Sequence, residues 1–129
     1  MESRDHMEQV RSLRNDPNRH YNCAQALLVA FSDEIGMTGE QADRLGMGFG
    51  SGMMHGSTCG TITAALMIMG MKGYGRQEAA EMLSAFRAKH QEVSCAALLA
   101  RAREEGIERK QHCDGLVYEM AAYLDSLDR

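Results

Sequence analysis

The sequence predicts an all-α fold, a bundle of about five or six helices around one buried central helix. Three observations carry this expectation. Proline occurs once, at Pro17; apolar residues recur at helical spacing, with little β-branched alternation; and the breaks between periodic runs fall mainly on glycine. With 129 residues, 44% of them apolar, the chain is expected to form one domain over 1–129, with residues 1–20 as a peripheral N-terminal segment.

Taken in order, Met7, Val10 and Leu13 at helical spacing predict a short helix from Ser3 to Arg14, closed before Asp16-Pro17. Asn22 is placed to cap a second helix from Cys23 to Ile35, with Ala26, Leu27, Ala30 and Phe31 on its apolar face and Gly36 as its stop. Thr38 with Gln41 has the form of a capping box for a helix from Gly39 toward Met47. A glycine-rich tract, Gly46 to Gly60, then breaks regular structure.

Thr58 is placed to cap a helix from Cys59 to Met71 that is apolar on nearly every face, as a central core helix is, and too short to span a bilayer. Gln77 to His90 resumes as an amphipathic helix. Ser94 precedes a helix from Cys95 to Glu105 that Gly106 ends, and Asp114 precedes a last one from Gly115 to Leu127.

A net charge of −4 provides no basic footprint for nucleic acid. The polar opening, Met1 to Asn18, lacks the pattern of a secretory leader, and no apolar run reaches membrane-spanning length, so a cytoplasmic protein without membrane insertion is expected. Self-association is left open. Eleven methionines, with no tryptophan and three phenylalanines, suit a core filled by adaptable thioethers.

The chemistry is expected at the four cysteines, Cys23, Cys59, Cys95 and Cys113. No two form a CxxC pair, and persistent structural disulfides are rare in a reducing compartment, which leaves buried thiols, metal ligation or transient redox chemistry. Each sits near a predicted helix start, where unpaired N–H groups favour thiolate over thiol. A single cysteine with such a setting is most often a small buried hydrophobe; four of them point to redox chemistry first, and to zinc or an iron-sulfur cluster second, because structural zinc sites usually draw on close ligand pairs. His20, His55 and His112 lie near three of the thiols in sequence and are candidate bases or ligands as well as ordinary boundary residues, with His55 the most interesting. His6 and His90 are read on polar faces. The glycine tract lacks the strand that a dinucleotide fingerprint requires, so no nucleotide is expected there.

The segments Tyr21-Asn22-Cys23-Ala24-Gln25-Ala26, Gly56-Ser57-Thr58-Cys59-Gly60, Cys95-Ala96-Ala97-Leu98-Leu99 and Cys113 with Leu116-Val117 resemble the C_GCAxxG_C_C family of redox-active proteins, named for its cysteine pattern. The resemblance spans roughly Tyr21 to Leu124 and departs at Thr61 and Ala64, where the family's element has alanine and glycine. It implies a small helical redox-active protein, sometimes encoded near transporters and so with a redox partner associated with transport, whose active positions are Cys23, Cys59, Cys95 and Cys113.

The expected function is thiol–disulfide oxidoreduction without a cofactor, Cys59 attacking as the thiolate, Cys23 resolving, and Cys95 with Cys113 forming a second pair. A metal- or cluster-binding protein using the same thiols, and a non-catalytic helical module, are the alternatives.

Overall fold

The protein is described here by a computed structural model over residues 6–127, and among these residues there are seven α-helices and no strand. They are α1 (Met7–Arg14), α2 (Cys23–Ala30), α3 (Gly39–Gly46), α4 (Gly60–Met71), α5 (Arg76–His90), α6 (Cys95–Glu104) and α7 (Arg109–Leu127). The expected all-α class holds.

The core is built on α2 and α4, most of whose residues are buried, although α4 ends on exposed Gly70 and Met71. Leu27, Leu28 and Phe31 from α2 and its C-terminus, with Ile62, Ile68 and Met69 from α4, are fully buried. Each such side chain contributes about 1.5–3 kcal/mol by leaving water. Helix α2 packs against α1, α3, α4 and α7, and α4 also touches α5 and α7, so the run that is apolar all round is indeed interior. No helix among the described residues is long and apolar enough to cross a membrane.

Two expected caps form as capping boxes. The Asn22 side chain accepts from the Gln25 backbone N–H at 2.7 Å while the Gln25 side chain accepts from the Asn22 N–H at 2.9 Å; Thr38 and Gln41 make the same reciprocal pair at 3.0 and 2.9 Å. The Gln25 amide also donates to Asp43, tying α2 to α3, and a Cβ on Gly46 would stand 3.0 Å from the Gln25 backbone. Only glycine lets the two helices approach so closely.

Several boundaries differ from expectation. The predicted second helix ends at Ala30, and Ser32–Ile35 continue as one tighter turn that stops at Gly36 in the left-handed region, φ 74°. The predicted start at Ser3 lies outside the described residues. Residues of the N-terminal segment enter the interior: Val10 and His6 are fully buried and Arg14 nearly so. His6 is therefore not on a polar face. Its ring stacks on Phe31 with centroids 3.8 Å apart, and its two nitrogens face Asp125 and Glu34.

The largest departure is α7, which begins at Arg109, so that Cys113 and Asp114 lie inside the helix and Asp114 caps nothing. The Asp114 carboxylate is engaged elsewhere, by Arg14 Nε and by Lys110 Nζ, each at 2.7 Å. Burial works to raise its pKa, but the Lys110 and Arg14 hydrogen bonds outweigh it and hold the carboxyl below its ordinary value.

The glycine tract is irregular, as expected. A tight turn at Met47–Phe49 is followed by a wide one at Gly52–Gly56, where Ser51, Met53 and Met54 take left-handed backbone at φ 53°, 57° and 69°. Such residues cost roughly 1–2 kcal/mol each outside glycine, so surrounding contacts must hold the turn in place.

Candidate functional site

What brings the cysteine-bearing helices together is a short piece of backbone pairing. Thr58 and Ser94 form an isolated antiparallel bridge, in which the Cys59 N–H donates to the Val93 carbonyl at 2.8 Å and the Cys95 N–H to the Ser57 carbonyl at 2.6 Å. The starts of α4 and α6 are thereby stapled side by side. Ser94 caps α6 as expected, accepting from the Ala97 N–H at 3.2 Å. Thr58 does not cap α4. The pairing holds Thr58 extended, and the cap position passes to Cys59 itself, at φ −54° and ψ 136°.

All four cysteines line one cavity of about 370 Å³, together with Arg14, His20, Ser51, Glu108, Arg109, Lys110 and His112 among others. All four thiols are free; Cys59 is buried, and Cys23, Cys95 and Cys113 are half-buried. The charge of an ionised Cys59 reaches Cys23, Cys95 and Cys113 alike, so the thiols behave as one electrostatic group.

Within that group Cys59 stands apart. Its pKa is pulled down to about 6, first by the hydrogen bond from the Cys23 thiol; burial pushes the other way, and the Thr61 hydroxyl, 3.1 Å from its sulfur, adds to the lowering. The backbone N–H groups of Thr61 and Ile62 also favour the thiolate, although neither makes a formed capping bond to the neutral thiol. Cys23 moves in the opposite direction, well above its ordinary value, because its proton is held in the bond to Cys59 and because it is buried. Burial is also the main cause of the upward shifts of Cys95 and Cys113. The two shifts run in opposite directions, Cys59 toward the thiolate and Cys23 toward the thiol.

Gly60 makes the pair possible. A Cβ there would stand 2.5 Å from the Cys23 sulfur and 2.8 Å from the Phe49 carbonyl oxygen. Nothing larger than hydrogen leaves room for the Cys23 sulfur where it stands.

Of the histidines, His20 and His112 line the cavity, whereas His55 lies exposed in the wide turn and does not. His112 Nε2 is buried without a hydrogen-bond partner, and burial, with His90 nearby, lowers its pKa. Among the described residues, no three His, Cys, Asp or Glu side chains come together so as to hold a metal ion. Sequence reasoning missed Arg14, Thr61 and Arg109. Thr61 was within reach of it, two positions after Cys59; Arg14 meets Asp114 across 100 residues, which no local signal reports.

The cysteine pattern has a counterpart among known families. A family model described as "Putative redox-active protein (C_GCAxxG_C_C)" matches residues 21–127. The chain belongs to this family. The match takes in all four cysteines and Gly60, so the thiols and the close approach at Gly60 lie within the family's span, while Arg14 and His20 of the cavity wall precede it. No curated protein and no solved structure matches the chain.

Proposed function

We propose that this redox-active protein performs thiol–disulfide exchange, with Cys59 as the attacking thiolate and Cys23 as the resolving thiol. The observation that carries the reading is the gathering of all four cysteines on one cavity, where Cys59 is the acidic thiol and Cys23 the one that keeps its proton. An attacking thiol works best with a pKa near ambient pH, and a resolving thiol must wait with its proton in place. The Cys59 sulfur attacks one sulfur of a disulfide, forming a mixed disulfide and releasing a thiolate. The released thiolate takes the Cys23 proton, and Cys23 then attacks the Cys59 sulfur, which leaves a Cys23–Cys59 disulfide and expels the second thiolate. Two electrons pass from the protein to the substrate.

Cys95 and Cys113 border the same cavity and serve as the second pair. Oxidation passes to them by the same exchange, reducing Cys23 and Cys59 again. The exchange draws on the thiols alone, and a reducing compartment such as the cytoplasm suits four free cysteines.

Trapping tests this reading. Cys23→Ser protein, incubated anaerobically with a small disulfide, is expected to accumulate a mixed disulfide on Cys59, read by peptide mass spectrometry. Labelling confined to Cys95 or Cys113, or no labelling, would overturn it.

A further inference from the structure

The proposed exchange leaves the charge of the cavity unused. Helix α7 opens on Arg109 and Lys110 with no acid in its first turn, although the positive end of the helix dipole disfavours cations there. The acid at this helix start is Glu108, at the cap position, whose carbonyl accepts from the His112 N–H at 2.9 Å. Lys110 is engaged with Asp114, which also serves Arg14, so one carboxylate answers two cations. Arg109 is different: it is exposed and donates to Ser51 Oγ at 3.2 Å, and no carboxylate lies within ion-pair distance of it among the described residues. It lies close enough to favour thiolates at both Cys95 and Cys113. Glu108 is the acid that lines the cavity beside these cations. A chain of net charge −4 thus surrounds its thiols with an excess of positive charge.

We propose that the cavity takes small disulfides bearing carboxylates, with Arg109 holding a carboxylate while Cys59 attacks the disulfide bond. This rests on the thiol–disulfide reading and adds a substrate class to it. The space, about 370 Å³, is in the range that encloses small molecules. A guanidinium without a carboxylate partner offers a bidentate fork for one, a geometry that lysine lacks. In the balanced reaction, the Cys59 thiolate, the Cys23 thiol and one disulfide yield the Cys23–Cys59 disulfide, one free thiol and one free thiolate. The substrate is the oxidant, and no other is needed.

Three disulfides with two methylenes in each arm test the proposal: dithiodipropionate carries carboxylates, hydroxyethyl disulfide is neutral and cystamine carries ammonium groups. Each oxidises the reduced full-length protein anaerobically, and each rate is divided by the rate of the same disulfide with mercaptoethanol. Dithiodipropionate is expected to lead cystamine by roughly tenfold, and added salt to narrow the gap. In Arg109→Gln the ratio of dithiodipropionate to hydroxyethyl disulfide is expected to fall roughly fivefold. The circular dichroism melt, which checks that α7 still forms, should not fall, because a cation leaves a helix N-terminus. Equal normalised rates for the three probes, or an unchanged ratio in Arg109→Gln, overturn the substrate class while leaving thiol–disulfide exchange standing. Failure of every small disulfide and of a disulfide-scrambled protein removes the exchange itself. Oxidation by the scrambled protein alone assigns the cavity to protein disulfides and overturns the proposal in that way.

Discussion

The starts of α4 and α6 lie side by side, joined by the Thr58–Ser94 bridge, and each carries a cysteine, yet the two thiols are driven in opposite directions. One residue of register separates them. At α6, Ser94 takes the cap and Cys95 is the first helical residue; at α4, Cys59 takes the cap. A side chain in the cap position faces the unpaired N–H groups of the first turn, which a side chain one residue later does not. Cys23, also the first residue of its helix behind Asn22, is likewise shifted upward. Nearness to a helix dipole is common to all three. The downward shift of Cys59 comes from direct hydrogen bonds, those of Cys23 and Thr61, together with the cap position.

The sharpest test removes each thiol in turn. At mildly acidic pH the wild type is expected to show one fast-alkylating thiol, its rate following a titration near pH 6. Cys59→Ser should abolish that phase, a loss of at least about tenfold in rate after allowing for the lower nucleophilicity of an acidic thiolate, whereas Cys95→Ser should leave it. A fast phase that survives Cys59→Ser would mean that the cap position does not select the thiolate.

Gly60→Ala attacks the same asymmetry through sterics. The new methyl would stand 2.5 Å from the Cys23 sulfur and 2.8 Å from a backbone oxygen, so Cys23 must turn away or the start of α4 must shift. The expected cost is roughly 1–3 kcal/mol in chemical unfolding, with the Cys59 titration moving upward as its main hydrogen bond is lost. At α6 the corresponding position is Ala96, which already carries a methyl group.

Stability against pH separates the two sulfurs thermodynamically. Native Cys59 stays ionised down to about pH 6, whereas a thiol in the unfolded chain holds its proton up to roughly 8.5. The unfolded chain binds more protons in that window, so the contribution of Cys59 grows as pH rises across it and is lost as pH falls through 6. Cys23, shifted upward, acts the other way: its contribution is intact below about 8.5 and is lost above it. Under reducing conditions, the stability difference between wild type and Cys59→Ser should therefore widen from pH 6 to about 8. A difference that is flat with pH would contradict the low Cys59 pKa.

How much of this was legible in the sequence follows from the range of each interaction. Both capping boxes join residues three apart, and both were readable. So was α4, because a run apolar on every face has nowhere to go but the interior. The start of α7 was not readable. Asp114-Gly115 imitates a cap, and what cancels the signal is Arg14, on another helix 100 residues away. The shift of the α4 cap from Thr58 to Cys59 has the same origin, since it depends on pairing with Ser94, 36 residues further on.

The smallest expected effect isolates one hydrogen bond. Thr61 is fully buried, and its hydroxyl lies 3.1 Å from the Cys59 sulfur at a position where the family's element has alanine. Thr61→Val keeps the volume and removes the hydroxyl; Thr61→Ala would restore the family's residue but leave a gap, mixing packing with electrostatics. Because Cys59 loses only a secondary partner, its titration should rise by less than it does when Cys23 is removed. Losing the hydroxyl without leaving a void should change stability by about 1 kcal/mol or less. The measurement is the pH dependence of Cys59 alkylation in Thr61→Val beside Cys23→Ser. If the Val variant titrates with the wild type, Cys23 and the helix start alone hold the thiolate, and Thr61 is a packing residue.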